Sequence, residues 1–321
     1  MMTGMSALAL ALLMAAGVAL DWLLGEARRF HPLVGFGKLA VTIERALNHG
    51  NGRYARGILA WCAAVLPLVA GSIVLIHFAA QIHILFAAAI HATLLYLCIG
   101  LRSLRDHMLP IATALSNADL PLARMLTSRI VSRDTVRAEE GDLAKAAVES
   151  TLENGNDAVF GTLFWFAVAG GPGALLFRLA NTLDAMWGYR NERFFAFGWM
   201  AARTDDALNW IPARLTALSY LLLGDARRAC QCWRTQAAAW PSPNAGPVMS
   251  AGAGALGLAL GGAAEYDGAI ETRPPLGAGH APRSGDIARA WSLVARTTVL
   301  WLIVFMVLAV LAVLAERMPD A

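Results

Sequence analysis

Apolar residues run in long stretches along most of this chain, and the polar residues gather at the ends of those stretches. A helix crossing the hydrocarbon core of a bilayer takes about 20 apolar residues. Met5 to Leu24, Ile58 to Phe78, Ile82 to Leu101 and Trp291 to Ala315 meet that length, and each predicts a transmembrane helix. The second and third are separated only around Ala79 to Gln81, which predicts a tight antiparallel hairpin. His77, His83 and His91 fall on or beside it and read as interfacial or interhelical hydrogen-bonding residues rather than ligands. The first stretch has no Lys or Arg before it and no clean small-residue cleavage site after it, so it predicts a retained helix.

Between Leu101 and Trp291 every apolar run is interrupted. Ala158 to Leu179 contains Gly170-Gly171-Pro172-Gly173, Ala207 to Leu223 contains Pro212 and Arg214, and Val248 to Ala264 is rich in glycine. The Gly-Gly-Pro-Gly break leaves halves of about twelve and six residues, each too short to span. Non-helical backbone at membrane depth is tolerated only where protein or water covers it, so these runs predict re-entrant, interfacial or buried helices. An even number of further crossings would keep the polar clusters on one side; an odd number would split them. Trp240 to Pro247 and Glu271 to Gly285 are rich in Pro and Gly and predict loops. The chain is therefore expected to be all-α and polytopic, with four transmembrane helices and interrupted or re-entrant helices forming a cytoplasm-facing site. Its expected divisions are residues 1–101, 102–286 and 287–321.

Composition agrees: 57% of residues are apolar and 15% charged, against roughly half and a quarter in soluble domains. The net charge of +3 and the lack of a Lys/Arg block exclude a nucleic-acid partner. Charge matters locally instead. The loop from Asp21 to Gly57 carries six basic residues (Arg28, Arg29, Lys38, Arg45, Arg53, Arg56), the segment from Arg102 to Asp157 carries seven, and the hairpin tip none. By the positive-inside rule both basic segments are cytoplasmic, and the tail from Glu316 to Ala321 lies outside. The four cysteines form no CxxC motif and read as packing residues in a reducing setting. No serine or cysteine nucleophile motif is present.

Three polar clusters carry the candidate chemistry. From Glu139 to Asp157, Asp142, Lys145, Glu149 and Glu153 are spaced three, four and four apart, one polar stripe on a helix. Alone this is a solvated face, but Glu153-Asn154-Gly155-Asn156-Asp157 crowds carboxylates and amides just before an apolar run, which is costly without a neutralising ligand. The second cluster, Asn181-Thr182-Leu183-Asp184 with Tyr189, Arg190 and Arg193, is either helix-capping chemistry or a ligand site. The third is Arg203-Thr204-Asp205-Asp206 with Asn209 and Arg214. Adjacent carboxylates repel, and a hard cation such as Mg²⁺ relieves them while keeping water and phosphate oxygens as its other ligands; the arginine forks suit phosphate. Two smaller features are His31-Pro32 beside Arg28 and Arg29, and Ser242-Pro243-Asn244 ahead of the glycine-rich run, whose glycines point to close helix packing rather than a phosphate loop.

Taken together, these residues resemble the CobD/CbiB family, the adenosylcobinamide-phosphate synthases of cobalamin biosynthesis. The resemblance rests on Asp21-Trp22-Leu23-Leu24-Gly25 with His31-Pro32-Leu33-Val34-Gly35, on Ser132-Arg133-Asp134-Thr135, on Val148-Glu149-Ser150 with Glu153-Asn154 and Asp157, on Asn181 to Arg190, on Ala202 to Asp206 with Asn209 and Ile211-Pro212-Ala213-Arg214, and on Ser242 to Gly246. Trp187 and Gly161 depart from the usual pattern without touching a charged position. The resemblance implies an integral, inner-membrane, carbon–nitrogen ligase. It would join adenosylcobyric acid to (R)-1-aminopropan-2-ol or its O-phosphate, using ATP and Mg²⁺. On that basis Asp184, Asp205 and Asp206 are expected to hold Mg²⁺-nucleotide and Arg133, Arg203 and Arg214 the phosphates. Glu149 or Glu153 is expected to serve the amine, with Asn154, Asp157 and Asn181 positioning; Asp157 and Asp184 also join the expected catalytic set. His31, Tyr189, Asn209 and Asn244 complete the substrate-binding set. A transporter with discontinuous helices, lacking here any repeated cluster, and an AmpE-like membrane sensor are the readings of other classes.

Overall fold

The computed structural model describes residues 5–26, 31–131, 133–266 and 269–317. Arg28, Arg29, Ser132 and the end of the tail lie outside them. In chain order the elements are α1 (Ala7–Leu24), α2 (Pro32–Leu47), α3 (Arg53–Ile82), α4 (Ile84–Cys98), α5 (Leu101–Ser116), α6 (Leu120–Thr127), α7 (Glu140–Asn154), a π-helical turn (Gly155–Phe160), α8 (Gly161–Trp187), α9 (Trp199–Leu223), α10 (Ala226–Gln236), a 3₁₀ turn (Ala237–Ala239), α11 (Ala245–Leu256), β1 (Ala259–Tyr266), β2 (Ala269–Gly277) and α12 (Ser284–Arg317). Five helices among the described residues are long and apolar enough to cross a membrane: Ala7–Leu24, Arg53–Ile82, Ile84–Ser116, Glu140–Trp187 and Ser284–Glu316. The protein is a multi-pass helical membrane protein.

The chain forms two interleaved compact units, the first from residues 1–100, 161–209 and 302–321, the second from 101–160 and 210–301. Within the first, α3 and α4 are joined at His83 alone, which ends one helix and caps the next, its Nδ1 accepting the Leu85 N–H at 3.2 Å. The break thus falls just beyond the expected tip. α4 packs on α1, α3 and α8, and α2 packs on α3 and α8. Phe36, Trp61, Leu179, Leu183, Trp187 and Phe197 are the large members of the buried core that α2, α3, α8 and the start of α9 share.

The Gly-Gly-Pro-Gly break is a reversal rather than a bend in a rod. Ala169 (φ −135°, ψ 16°) and Gly170 (φ 65°, ψ −151°) leave helical geometry, and Pro172 withholds an N–H just beyond. The arms on either side lie against each other: a Cβ at Gly161 would overlap the Phe177 ring, and one at Gly173 would overlap the Trp165 carbonyl oxygen. Residues eight and sixteen apart cannot touch in this way along a straight helix rising about 1.5 Å per residue. His91 of α4 satisfies the opened backbone, its Nδ1 accepting the Gly171 N–H at 2.9 Å. The histidine is the interhelical hydrogen-bonding residue expected, and the interrupted run is a helical hairpin whose ends return to one level.

Pro212 does not interrupt α9. A proline inside a helix orphans the carbonyl four residues earlier, and the Trp165 indole N–H donates to that carbonyl, Leu208, at 2.9 Å. Tertiary contact thus replaces the missing helical bond.

In the second unit, α7 packs on α5, α6, α11 and β1, while α10 packs on α11 and β2. The expected loop from Glu271 to Gly285 is corrected here, because most of its first half is strand: β1 and β2 pair antiparallel, from Ala259 opposite Gly277 to Tyr266 opposite Ala269. The prolines misled because they withhold donors, yet in a two-stranded ribbon every strand is an edge. Pro274 and Pro275 fall in the register shift between Leu260 and Gly262, outside the paired positions. The glycine-rich run is likewise half helix and half strand, with α11 ending at the left-handed Gly257 (φ 71°). Its helical glycines serve packing as expected, Gly252 against Leu152 and Gly254 against the Ala229 backbone.

A side chain at the reversal cannot be accommodated without moving backbone. Gly173→Ala is expected to cost about 1–3 kcal/mol, the usual range for overpacking, read as a lower thermal midpoint in detergent. Gly71→Ala, with nothing within 4 Å of the new carbon, is expected to leave that midpoint nearly unchanged.

Candidate functional site

Two of the three polar clusters meet within the first unit. Asn181 lies on the second arm of α8 and Asp205 and Asn209 on α9. The Asn181 side-chain amide donates to Asp205 Oδ1 at 3.1 Å, and the Asn209 amide donates to both Asp205 oxygens at 3.2 Å. Asn209 is fully buried, so Asp205 is held in place by directional bonds from two helices. Asp184 is close enough to Asp205 and Asp206 for both to act on it as like charges. Gly188 lets the Asp184 side chain lie against the backbone, since a Cβ there would collide with Asp184 Oδ1. Burial holds the Asp206 carboxyl above the ordinary aspartate range, against the opposing pull of Arg203 and Arg190. Arg203 Nη1 stands 3.8 Å from Asp206 Oδ2 with its side chain 65% exposed. It has room to swing toward a ligand. Tyr189 is exposed beside Phe194.

Asp205 and Asp206 thus both bring like charge to bear on Asp184, a repulsion that a bound cation would relieve. Among the described residues no group of three His, Cys, Asp or Glu side chains is arranged to hold a metal ion; a hard cation such as Mg²⁺, which takes one or two protein carboxylates and keeps water or substrate oxygens as its other ligands, would find its protein ligands among Asp184, Asp205 and Asp206.

The third cluster belongs to the second unit and is distributed along α7 and the π-turn. Glu139, Glu140 and Asp142 are exposed at the helix start, where Asp142 Oδ2 lies 3.4 Å from the Glu139 N–H it accepts. Further along, the stripe docks the hairpin. Lys145 Nζ donates to the Ala263 carbonyl at 3.1 Å, and one turn later Glu149 Oε1 accepts the Gly261 N–H at 2.8 Å. Gly261 adopts φ 73° opposite the β2 bulge at Pro274 and Pro275, where its N–H leaves the ladder for the carboxylate. The other Glu149 oxygen is ion-paired with Arg133, and both side chains are nearly buried. Glu149 and Arg133 thus meet each other. Asn154 bonds back to Ser150, through its carbonyl at 2.9 Å and its hydroxyl at 3.1 Å. Glu153 is half-buried on the same helix.

At the π-turn Asn156 donates to Asp157 Oδ1 at 2.9 Å and accepts from the Thr216 hydroxyl at 3.0 Å. Widening the helix by one residue leaves carbonyls without their usual partners; the Tyr220 hydroxyl donates to that of Leu152 at 3.2 Å. Gly155 is required there, because a Cβ would lie 2.5 Å from the Tyr220 oxygen. Burial pushes the Tyr220 hydroxyl far above its ordinary pKa, and Asp157 adds to the push, so it acts only as a neutral donor. Thr216 and Tyr220 sit four apart on an apolar helix, and that spacing is the only signal of them in the sequence.

Arg214 is engaged by its own unit. Its guanidinium donates to Asn244 Oδ1 at 2.7 Å and to the carbonyls of Trp210 and Pro243 at 3.0 Å, and it lies over the Trp210 ring. Burial lowers its pKa. This pair of expected ligand residues therefore also anchors the 240–244 turn. His31 caps α2, its Nδ1 accepting the Leu33 N–H at 3.2 Å with Pro32 at the first helical position.

Polar clusters set at the ends of apolar helices, with Asp205 held by amides from two of them, mark an integral membrane protein. The particular family follows from comparison. A family model described as CobD/Cbib protein matches residues 14–294, and the chain belongs to the CobD/Cbib family of cobalamin biosynthesis. It is 55% identical over 294 residues to the cobalamin biosynthesis protein CobD of Stutzerimonas stutzeri, covering 89% of this chain and 94% of that one. It is 52% identical over 304 residues to that of Chromobacterium violaceum, covering 94% and 97%, and 37% identical over 281 residues to that of Mycobacterium tuberculosis H37Rv, covering 85% and 88%. No solved structure matches the chain significantly.

Removing one partner of a buried ion pair costs about 3–5 kcal/mol. Glu149→Ala, which strands Arg133 and the Gly261 N–H, is expected to lower stability on that scale in denaturant titrations and to impair activity. Glu140→Ala, at the exposed helix start, is expected to change stability by less than about 0.5 kcal/mol.

Proposed function

We propose that this protein is an ATP-dependent carbon–nitrogen ligase. It joins the free propionate carboxylate of adenosylcobyric acid to the amine of (R)-1-aminopropan-2-ol or its O-phosphate. A carboxylate does not acylate an amine at neutral pH without activation. In this reading the propionate oxygen attacks the γ-phosphorus of ATP, releasing ADP and forming an acyl phosphate. The amine then attacks the acyl carbon, orthophosphate leaves, and the ammonium proton passes to a base. The observation that carries the proposal is the carboxylate–amide set of Asp184, Asp205, Asp206, Asn181 and Asn209 in a chain of this family. Mg²⁺ bound there supplies charge neutralisation for phosphoryl transfer.

The chain's own residues then divide the work. Asn181 and Asn209 hold Asp205 in one orientation, and Arg203, exposed and only loosely paired, swings onto phosphate oxygens. Glu153 and Asp157, half-buried on α7 and the π-turn, are the carboxylates assigned to the ammonium proton. Glu149 holds Arg133 and the hairpin, so its contribution is to keep that guanidinium in place. In this reading the site faces the cytoplasm of the inner membrane, the orientation that the two basic segments set by the positive-inside rule.

The test is direct. Protein in detergent, incubated with adenosylcobyric acid, aminopropanol or its phosphate, and ATP·Mg²⁺, is expected to yield the amide by mass together with ADP. Asp205→Asn and Asp206→Asn are each expected to reduce synthesis about 10²-fold or more, the scale for losing one preorganised electrostatic group. Wild-type rates in either variant at saturating Mg²⁺ overturn the cation assignment. No product and no ATP turnover in the wild type favours a transporter or sensor. Because Asp206 titrates above the ordinary aspartate range, it loses its charge earlier as pH falls. The Mg²⁺ requirement is expected to climb on the acid side from a higher pH than for an unperturbed aspartate.

A further inference from the structure

A second polar assembly in the first unit lies apart from the carboxylates. Glu44, on α2, is buried with 5% of its surface exposed. Arg193 donates to both its oxygens, from Nε at 3.1 Å and Nη2 at 2.8 Å, and Asn48 donates to Oε1 at 2.6 Å. The Arg193 fork holds the Glu44 carboxyl below its usual range. Asn48 also donates to the Arg193 carbonyl at 3.1 Å. Arg53, at the start of α3, donates to the Glu192 carbonyl at 3.1 Å, to the Arg193 carbonyl, and to Asn48 Oδ1 at 2.9 Å. Three side chains from α2 and α3 thus close on two consecutive residues, Glu192 and Arg193.

Those two residues sit in the middle of the connector, residues 188–198, that leads from α8 to α9. The connector begins four residues after Asp184 and ends seven before Asp205. Its ends are already packed: Trp187 and Phe197 meet edge to face at 5.1 Å, and Gly198 is pressed on the Trp187 carbonyl so closely that a Cβ would overlap it. Apolar contact of this kind holds elements together but is non-directional. The bidentate carboxylate–guanidinium pair adds geometric specificity.

We infer that Glu44 and Arg193 are positioning residues for the carboxylate set: by clamping the connector they fix the spacing of Asp184 on α8 from Asp205 and Asp206 on α9. The inference rests on the ligase reading for its catalytic consequence and on geometry alone for its structural one. Two measurements keep these separate. Spin labels on cysteines placed at the exposed positions Ala185 and Ala207, with the four native cysteines replaced by alanine, report the α8–α9 distance by pulsed electron resonance. In the full chain in detergent, Glu44→Gln is expected to broaden that distance distribution while the protein remains folded by circular dichroism and gel filtration. Arg193→Gln, whose side chain is 61% exposed, serves as the gentler second variant, and Arg193→Lys, which keeps charge but loses the fork, is expected to fall between. In the assay of amide synthesis, the Mg²⁺ concentration for half-maximal rate is expected to rise about tenfold in Glu44→Gln, the scale of one charge-assisted hydrogen bond. Arg193→Lys is again expected to be intermediate. An unchanged distance distribution in both glutamine variants overturns the clamp. A broadened distribution with unaltered Mg²⁺ dependence overturns its role in positioning. A wild type that makes no amide sinks the ligase reading, and the distance measurement still decides the clamp.

Discussion

Backbone polar groups buried in an apolar setting must find partners within the protein, because no water reaches them. The α8 reversal shows what that requires. Leaving helical geometry at Ala169 and Gly170 opens the Gly171 N–H, and His91 on α4 accepts it. Pro212 opens the Leu208 carbonyl, and Trp165 donates to it. The π-turn leaves the Leu152 carbonyl to Tyr220. In each case a side chain from another element completes a backbone that its own helix cannot satisfy. The irregular points are consequently also the points where elements are tied together.

The same rule shapes the charged residues. Carboxylates taken wholly or partly out of water here are met by forks and amides: buried Glu149 by Arg133 and a backbone N–H, buried Glu44 by Arg193 and Asn48, half-buried Asp205 by Asn181 and Asn209. The partners differ in kind. Glu149 and Glu44 have their charge answered by arginine, which favours an anchoring role. Asp205 is oriented by the amides of Asn181 and Asn209, and together with Asp206 it acts as a like charge on Asp184.

Much of the candidate site is legible in the spacing of its residues. Helical periodicity places Asp142, Lys145 and Glu149 on one stripe, and that stripe docks β1. The four-residue separation of Asp205 and Asn209 foretells their hydrogen bonds. Glu44, Asn48 and Arg53 carry no such signal, because each looks like an ordinary residue of an amphipathic helix or a helix start. Their common target, Arg193, is about 140 residues away, and no local pattern holds that information. The β-hairpin is hidden by its own prolines, which count against a strand except at an unpaired register shift.

By itself the sequence determined the membrane class, the long helices, the break in α8 and the identity of the polar clusters, because these follow from run length, periodicity and the steric rules of glycine and proline. Tertiary structure alone decided which groups face which. It folded the α8 arms side by side, set Asn181 against Asp205, gave Glu149 to Arg133 and the hairpin, and assembled the Glu44 clamp from residues far apart in the chain. The physical reason is range. Propensity and spacing act over a few residues, whereas the cost of burying a polar group is settled only by whatever the fold brings within hydrogen-bonding distance.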